Sequence, residues 1–381
     1  MTKDERWMQR ALDLAGRGAG RVSPNPLVGC VIVGPDDGVL GEGWHGAYGG
    51  PHAEVWAVRD AERKHGPDAL RESTLYVTLE PCSHYGKTPP CADLILEEGI
   101  PRVVVGMRDP FPRVDGAGIE RLRAHGVEVT VGVREHEAKR LNEAFTHHLA
   151  TGRPLVTLKI AQSLDGSVAT ASGDSRWVSG EASRRLVHRW RAALDGVLVG
   201  SGTAQADDPA LTVRHAEGRQ PVRIVLDRTG SLPAGLRLFT DEHAGRTIAV
   251  VGEGAAPVYA DNLRARGGFM LPVPERHGHL DLGVLLDCLG TGVGGQRPMQ
   301  SLLVEAGPGL ATALLRADPS AGSGQALADR VALFIAPKLV GGQRSVRDLG
   351  IGKMAEALTF AEHRWEPVGS DILLTGYRHP V

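Results

Sequence analysis

The sequence predicts an α/β protein with two domains, and three observations support this prediction. The chain has 381 residues, which is too long for one ordinary core and suits two domains of roughly 150 to 200 residues each. Short apolar runs typical of strands alternate with amphipathic runs typical of helices along both halves. The first series ends at Gly152-Arg153-Pro154, where Gly and Pro stop a helix and a new strand pattern begins. We therefore expect domains over residues 1–150 and 151–381.

The elements of the first half follow in order from these patterns. An amphipathic helix, MTKDERWMQRALDLAGRG, precedes two β-like runs, LVGCVIV and VLGEGWH. A helical run, AEVWAVRDAERKHG, is followed by the apolar strand TLYVTLE, the helix CADLILEEG and the buried strand RVVVGM. The half closes with the helix GIERLRAHG, the strand VEVTVG and one long helix, EHEAKRLNEAFTHHLATG.

The second half has its own series of strand patterns. They are LVTLKIA, VLVGSG, PVRIVLD, TIAVVG, SLLVEAG, RVALFIAP and a closing ILLTGYRHP. The segment PSAGSGQALA near Pro319 is small, polar and rich in Gly and Ser, which predicts a flexible surface loop.

Composition excludes several classes of protein. The net charge is −2 and the pI is near 6.7, so the basic excess of a nucleic-acid-binding protein is missing. The charged N-terminal helix lacks the apolar core of a signal peptide, and no long uncharged apolar run follows. We expect a soluble cytoplasmic protein without membrane or nucleic-acid partners. Four cysteines are too few for a disulfide framework, so two that share one loop indicate metal or redox chemistry.

That loop, EPCSHYGKTPPC, belongs with PHAEV upstream, where His52 and Glu54 open a helix. One His with Cys82 and Cys91 would leave a zinc ion an open position for water. Cys91 also begins a helix, and the partial positive charge of a helix N-terminus favours thiolate. Glu54, a carboxylate outside the ligand set, could shuttle the water's proton. This pattern is the signature of a zinc deaminase.

The spacing of the cysteines differs from the usual pattern of nucleic-acid and cytidine deaminases. Eight residues separate Cys82 from Cys91 where that pattern has two. The added loop carries His84 and Lys87, a polar pair suited to a phosphate-bearing or hydrogen-bonding substrate. The alternative is a structural zinc site that His84 closes as the fourth ligand, in which case Glu54 would have no role.

These motifs resemble the bifunctional riboflavin-biosynthesis deaminase/reductase family. SPNPLVGCVIV, PHAEV and TLEPCSHYGKTPPCADLI resemble its deaminase half, and LKIAQSLDGSVATASGDSRWVSG, VGSGTAQADDPALTVR and LLVEAGPGLATALL its reductase half. The resemblance covers nearly the whole chain in the family's order. It implies a cytidine-deaminase-like three-layer α/β/α domain followed by a dihydrofolate-reductase-like α/β domain. It also implies two reactions: zinc-dependent removal of the 2-amino group from a diaminopyrimidinone ribosylamine phosphate, then NADPH-dependent reduction of the ribose to a ribityl chain.

The resemblance also assigns residues in the deaminase half. His52, Cys82 and Cys91 would be the zinc ligands and Glu54 the proton shuttle. Asn25, His45, His84 and Lys87 would line the substrate pocket. Asn25 stands between two prolines that stiffen its turn, so its carboxamide could be held against a ring edge; the alternative is an ordinary Asx turn.

In the reductase half, the resemblance implies substrate contacts and cofactor contacts. The substrate contacts are Ser175, Arg191, Leu211, Arg214 and Glu305, and the cofactor contacts are Ala161, Trp177, Thr203, Asp207, Gly307, Pro308, Gly309, Leu310, Ala311, Thr312 and Ala313. The two arginines are natural partners for the substrate phosphate, although Arg191 could equally lie on a solvated helix face. Lys159 and Asp165 are further candidates for the site.

The cofactor pattern is not that of a Rossmann domain, because no G-x-G-x-x-G follows the first strand. LLVEAGPGLATALL instead predicts a strand, a Gly-Pro-Gly turn and a helix whose N-terminus could bind a pyrophosphate, or else a tight connection only. The chain departs from the family at Arg228, where a small hydroxyl residue is expected beside the cofactor. Arg228 would lie near the cofactor's phosphate or point into water. The stretch near Pro319 is an apparent insertion.

Other residues are assigned structural positions. We expect Cys30 in a buried strand and Cys288 in helix packing, and we expect His147 and His148 at the surface. The resemblance implies a homo-oligomer, either a dimer or a tetramer. Two alternatives remain open: a zinc-dependent nucleic-acid or nucleotide deaminase with an accessory nucleotide-binding domain, and a zinc-stabilised binding protein without activity.

Overall fold

The structure, a computed structural model, describes residues 1–85, 89–111, 115–316 and 326–379. The chain forms two compact units, one of Met1–Thr151 and the other from Gly152 onwards. None of the helices in the described part of the chain is long and apolar enough to cross a membrane. The loop predicted near Pro319 lies mostly outside the described residues.

The described residues of the first unit form six α-helices, a short 3-10 helix (Pro67–Glu72) and five strands. In chain order they are α1 (Lys3–Gly16), β1 (Gly29–Val33), β2 (Val39–Trp44), α2 (Ala53–His65), β3 (Thr74–Leu79), α3 (Cys91–Glu97), β4 (Arg102–Met107), α4 (Ala117–Ala124), β5 (Glu128–Val131), α5 (Glu135–Leu141) and α6 (Glu143–Thr151). The sheet order is β2-β1-β3-β4-β5. β1 is antiparallel to both neighbours, whereas β3, β4 and β5 are parallel.

Helices cover both faces of this sheet. Successive residues of β1 point to opposite faces: Cys30 packs in the core beneath α2, α3 and α4, and Val31 packs in the core beneath α1 and α5. β1, GCVIV, is therefore apolar throughout, as expected for a strand buried on both faces. The predicted buried position of Cys30 agrees with this packing. The first unit is a three-layer α/β/α domain.

Helix α2 lies unusually close to the sheet because β2 has glycines beneath it. A side chain at Gly41 would collide with the carbonyl oxygen of Ala57, and one at Gly43 with that of Ala53. The absence of a Cβ at these two positions lets the helix backbone approach the strand directly. This close approach fixes the start of α2, where His52 is the N-cap residue.

The last helix predicted for this half is in fact two helices. Asn142 separates α5 from α6, and its buried side chain pairs with the main chain of Leu27: Oδ1 accepts from the Leu27 N–H at 2.8 Å and Nδ2 donates to the Leu27 carbonyl at 2.9 Å. This tertiary pairing ends the first helix. His147 and His148 on α6, expected at the surface, are partly exposed and partly buried.

The second unit is built on a nine-stranded sheet. Its helices are α7 (Glu181–Ala193), α8 (Ser201–Asp207), α9 (Arg237–Thr240), α10 (Ala260–Ala265), α11 (Leu282–Thr291) and α12 (Pro308–Leu315). Its strands are β6 (Leu155–Ser163), β7 (Ser167–Ala169), β8 (Gly196–Gly200), β9 (Val222–Leu226), β10 (Thr247–Gly252), β11 (Phe269–Val273), β12 (Glu275–Arg276), β13 (His279–Leu280), β14 (Ser301–Glu305), β15 (Arg330–Ala336), β16 (Gln343–Arg344), β17 (Glu362–Val368) and β18 (Asp371–Tyr377).

The order of the large sheet is β11-β10-β9-β8-β14-β6-β15-β18-β17. The seven strands from β11 to β15 are parallel, and β18 and β17 complete one edge in antiparallel fashion. Parallel strands bring their carboxyl ends to one edge of the sheet, where α/β proteins bind ligands. Cys288 lies on α11 and packs half-buried against the core, as expected.

Two candidate active sites

The first candidate site is a cluster of one histidine and two cysteines. His52 is the N-cap residue of α2, Cys82 follows β3, and Cys91 is the first residue of α3. Their ligand atoms lie within 4.8 Å of one another. His52 Nδ1 is 3.2 Å from the Cys91 sulfur and 3.6 Å from the Cys82 sulfur. One imidazole nitrogen and two sulfurs within reach of one ion fit zinc, and three protein ligands leave its fourth position open.

The electrostatics of the cluster favour a metal-binding thiolate. The hydrogen bond between Cys91 and Cys82 lowers the pKa of Cys82 more than any other interaction does. Burial opposes it and the His52 imidazole assists it, and the pKa of Cys82 falls to about 4. The Cys91 N–H also donates to the Cys82 sulfur at 3.3 Å. Cys82 is therefore the cysteine of the pair that gives up its proton first, because its hydrogen bond to Cys91 lowers the pKa of Cys82, whereas the same bond and burial raise the pKa of Cys91.

Glu54 lies in the first turn of α2, two residues from His52, and its side chain is buried. Burial is the main cause that raises the pKa of this carboxyl, and the neighbouring Cys82 raises it further, whereas His52 opposes the change. A carboxyl that gains a proton more readily than usual is suited to proton transfer near neutral pH. His84 is exposed and lies outside the cluster, so the described residues do not support the alternative of a structural site closed by His84.

Asn25 and His45 form a fixed pair beside the cluster. His45 Nδ1 lies 3.0 Å from the carbonyl oxygen of Pro51, which can only accept, so Nδ1 carries the proton. His45 Nε2 then accepts from Asn25 Nδ2 at 3.0 Å. This chain of bonds orients the Asn25 amide and leaves its oxygen for another partner. Lys87, the remaining residue predicted for this pocket, lies outside the described residues.

Glu80 is an anchoring residue that the sequence analysis did not identify. Its buried carboxylate accepts four main-chain N–H bonds, from Asp109, Gly116, Gly118 and Ile119, at 2.9 to 3.3 Å. These bonds fasten the chain after β4 and the start of α4 to the residue that stands two positions before Cys82. The pattern EPC in the quoted loop places a carboxylate directly before the cysteine turn, but nothing in the sequence indicates its four partners.

The second candidate site is a cleft of about 1460 Å³ in the second unit. All five residues predicted to contact the reductase substrate line it. They are Ser175, Arg191, Leu211, Arg214 and Glu305. Ten of the predicted cofactor contacts line it as well: Ala161, Trp177, Thr203, Asp207, Gly307, Pro308, Gly309, Leu310, Thr312 and Ala313.

Two of the candidate residues are placed elsewhere. Ala311 has its side chain in the hydrophobic core and does not line the cleft. Asp165 does not line the cleft either; its carboxylate accepts from the main-chain N–H groups of Val340 and Gly341 at 2.9 and 2.7 Å. Asp165 therefore ties together two main-chain segments. Lys159 does line the cleft.

Arg191 and Glu305 form a buried ion pair in the cleft. Arg191 Nε is 2.6 Å from Glu305 Oε1, and both side chains are at most 14% exposed. Burial raises the pKa of Glu305, but Arg191 and Lys159 outweigh this effect and bring it to about 2. The alternative that Arg191 lies on a solvated helix face is therefore wrong.

The cleft offers the features that a dinucleotide cofactor needs. The Gly-Pro-Gly turn leads into α12 with Gly307 as the N-cap residue and Pro308 at the first helical position, so free main-chain N–H groups and the positive end of the helix dipole face an anion there. A Cβ added at Gly309 would meet only the guanidinium of Arg347, at 3.9 Å. Arg228 also lines the cleft, where it forms an ion pair with Glu275 at 3.0 Å.

Comparisons with known proteins match both halves of the chain. The family model "RibD C-terminal domain" matches residues 154–374, and "Cytidine and deoxycytidylate deaminase zinc-binding region" matches residues 1–107. The riboflavin biosynthesis protein RibD of Escherichia coli (strain K12) is 41% identical over 387 residues, covering 98% of each chain. That of Aquifex aeolicus (strain VF5) is 39% identical, covering 97% of each chain.

The chain belongs to the RibD family.

Solved structures agree over the same length. Acinetobacter baumannii RibD (form 2) is 36% identical with a TM-score of 0.80, covering 98% of each chain. A diaminohydroxyphosphoribosylaminopyrimidine deaminase/5-amino-6-(5-phosphoribosylamino)uracil reductase from Thermotoga maritima is 36% identical with a TM-score of 0.81 and the same coverage.

Membership of the RibD family makes the chain a bifunctional enzyme of riboflavin biosynthesis. Its first half is a zinc-dependent deaminase of the cytidine-deaminase type, and its second half is the RibD reductase, which uses NADPH. The predicted fold class is confirmed. The match over both halves favours this function over a nucleic-acid deaminase and over an inactive zinc-binding protein.

Proposed function

We propose that residues 1–150 deaminate 2,5-diamino-6-ribosylamino-4(3H)-pyrimidinone 5′-phosphate and that residues 151–381 reduce the product. The reduction would use NADPH to convert the ribosyl chain to ribityl and would give 5-amino-6-ribitylaminouracil 5′-phosphate. The observation that carries the proposal is the open cluster of His52, Cys82 and Cys91 beside the buried Glu54. The Thermotoga maritima relative, which is named for both activities, supports the choice of substrate.

In the deaminase half, His52, Cys82 and Cys91 would hold the zinc. Zinc, when bound, lowers the pKa of water and makes it a nucleophile at neutral pH. Glu54 accepts the proton of the attacking water and delivers it to the departing amino nitrogen, so that the C2–N bond breaks and ammonia leaves. The Asn25 amide oxygen, which His45 leaves available, accepts a hydrogen bond from the pyrimidine edge. His45 then acts through Asn25, while His84 and Lys87 remain proposed substrate contacts.

In the reductase half, the cofactor phosphates would lie at the Gly307 to Ala313 turn, with Ala161, Trp177, Thr203 and Asp207 completing the cofactor site. NADPH, when bound, supplies the hydride. Ser175, Leu211 and Arg214 hold the substrate, and the Arg191–Glu305 pair keeps a negative charge in place beside Lys159. Burial lowers the pKa of Lys159, so this ammonium gives up its proton more readily than usual.

One assay tests both halves. Purified, zinc-containing protein is supplied with the diaminopyrimidinone substrate, and ammonia release and NADPH consumption are followed in the same tube. Ammonia release followed by NADPH loss is the expected result. Ammonia release alone would contradict the cofactor site, and neither signal would contradict the proposed substrate.

A cysteine variant tests the assignment of each reaction to its half. Cys82→Ala should abolish ammonia release but leave NADPH oxidation intact when the deaminated intermediate is supplied. Cys288→Ala, a cysteine of the second unit outside the cleft, is the matched control and should keep both activities. Loss of both activities in Cys82→Ala would argue against independent halves.

We also propose that the chain works in the cytoplasm as a homo-oligomer, either a dimer or a tetramer, as the resemblance implies. Sedimentation equilibrium of the purified protein tests the assembly, and a monomer at all concentrations would contradict it.

A further inference from the structure

The segment between α8 and β9, residues 208–214, carries two of the proposed substrate contacts, Leu211 and Arg214. We name it the substrate loop. Its backbone adopts the left-handed region at two residues other than glycine, Asp208 (φ 40°) and Leu211 (φ 53°). A left-handed backbone is strained for such residues, so it persists only where the surroundings hold it.

Side chains from neighbouring elements hold the main chain of the substrate loop. The buried Arg223 on β9 donates to the carbonyl of Ala210 at 3.0 Å. Arg191 on α7 donates to the carbonyl of Thr212 at 3.1 Å. Gln220 binds both main-chain groups of Val213, accepting at 2.7 Å and donating at 3.1 Å. The loop is therefore fixed before any substrate arrives.

His188 is the corresponding anchor for Arg214. It lies on α7, is 6% exposed and lines the cleft. The main-chain N–H of Arg214 donates to His188 Nδ1 at 3.2 Å. Nδ1 must therefore lack a proton, which places the proton of the neutral ring on Nε2. The His215 ring packs edge-on against His188 with centroids 4.8 Å apart.

The guanidinium of Arg214 is available for a ligand. Arg214 Nη1 donates to the Thr212 hydroxyl at 3.0 Å, and no carboxylate of the described residues lies within ion-pair distance of it. A positively charged fork on a fixed main chain can bind a phosphate through two parallel hydrogen bonds.

We propose that His188 is a positioning residue of the reductase half: as a neutral acceptor, its Nδ1 fixes the main chain at Arg214 and so aims this guanidinium at the substrate phosphate. The inference rests on the proposed function, in which Arg214 binds that phosphate. His188 contributes through Arg214, and its effect belongs to substrate binding more than to the chemical step.

Three substitutions at His188 separate the roles of its two ring nitrogens. In His188→Asn, the amide oxygen occupies the place of Nδ1 and retains the acceptor. In His188→Gln, the polar group reaches the place of Nε2, and in His188→Ala both nitrogens are lost. We expect the KM for the deaminated, phosphorylated substrate to rise roughly tenfold in the Gln and Ala variants and less than about threefold in the Asn variant, with kcat nearly unchanged. Ammonia release, measured on the same preparations, should stay at the wild-type level and shows that the variants are folded.

Arg214→Ala, alone and combined with His188→Ala, completes the experiment. If His188 acts through Arg214, the double variant should have nearly the same KM as Arg214→Ala, because the two effects are not additive. A normal KM in Arg214→Ala would overturn the proposed function of Arg214. Three results would overturn the role of His188 alone. The first is a raised KM in Arg214→Ala together with a normal KM in His188→Ala. The others are additive effects in the double variant and a His188→Asn variant that is as impaired as His188→Ala.

Discussion

Replacing Glu80 by glutamine should destabilise the deaminase half by a predictable amount. The carboxylate is 3% exposed and accepts two main-chain bonds on each oxygen. In Glu80→Gln one oxygen becomes an NH₂ group, so two buried N–H donors face another donor. Bonds to a charged acceptor contribute about 1.5–3 kcal/mol each, and removing one partner from a buried charged network costs about 3–5 kcal/mol. We expect the free energy of unfolding of this unit to fall by about 4 kcal/mol.

The matched control is Glu120→Gln on α4. Glu120 has a side chain that is 70% exposed and pairs with Arg123 at 3.3 Å, so its replacement should cost less than about 1 kcal/mol. Urea denaturation followed by deaminase activity measures both variants. With a slope of about 2 kcal/mol per molar urea, Glu80→Gln should lower the midpoint by about 2 M.

Amide hydrogen exchange gives a second, local measurement for Glu80. The main-chain N–H groups of Asp109, Gly116, Gly118 and Ile119 should exchange faster in Glu80→Gln, while the central strand β1 should keep its protection until the whole unit unfolds. One ordinary hydrogen bond contributes about 1 kcal/mol. The reasoning would be refuted if the free energies of unfolding of Glu80→Gln and the control differed by less than this value, about 1 kcal/mol, and exchange at these four amides were unchanged.

Three other predictions concern the active sites. Glu54→Gln should keep its zinc but lose roughly 10²- to 10⁴-fold in ammonia release, the range for a missing general acid–base group; metal analysis of the variant checks this, and loss of zinc would contradict the shuttle role. Glu305→Gln would leave the buried Arg191 and the half-buried Lys159 without their carboxylate, and thermal denaturation of the reductase half should show a loss of about 3 kcal/mol; an unchanged stability would contradict the importance of the pair. Burial first, and then nearby cations, lower the pKa of His188 from its ordinary value of 6.5 to about 4, so the unfolded chain takes up this proton first and stability should fall as the pH drops from about 6.5 to 4. The difference in melting temperature between wild type and His188→Asn should therefore shrink only as the pH falls through that range. A difference that stays constant there would contradict the lowered pKa of His188. The charged and titratable groups that face this imidazole are Arg191, Arg214, His215 and Glu305.

The sequence predicted most central strands and the metal cluster because both depend on local chemistry. A strand buried on both faces must be apolar throughout, so GCVIV, TLYVTL and RVVVGM are visible without any tertiary information. The proposed zinc ligands are visible in the sequence because few other combinations of residues suit that metal. Two edge strands escaped prediction: β11 contains Pro272, and β17 carries His363, Arg364 and Pro367, a composition typical of loops and of protected sheet edges.

The supporting residues of the sites could not be predicted because their partners are distant in sequence. Asn142 meets Leu27, Glu80 meets the start of α4, and Arg223 is buried although arginine is normally exposed. Each of these polar side chains satisfies main-chain groups that only the folded chain brings near. Hydrophobic periodicity reports which face of an element is buried, and it carries no information on which buried polar group a side chain will meet.

The proposed zinc ligands all come from one short part of the chain, between His52 and Cys91, within a unit whose last strand ends at Val131. During synthesis the N-terminal domain of a protein generally folds first, and chains grow at about 5–20 residues per second. The ribosome therefore needs roughly 10 to 50 seconds to make residues 152–381, and the first unit can fold and take up its metal in that interval. If the two halves act independently, as proposed, a cell short of zinc during translation would release chains with a competent reductase half and an empty deaminase half.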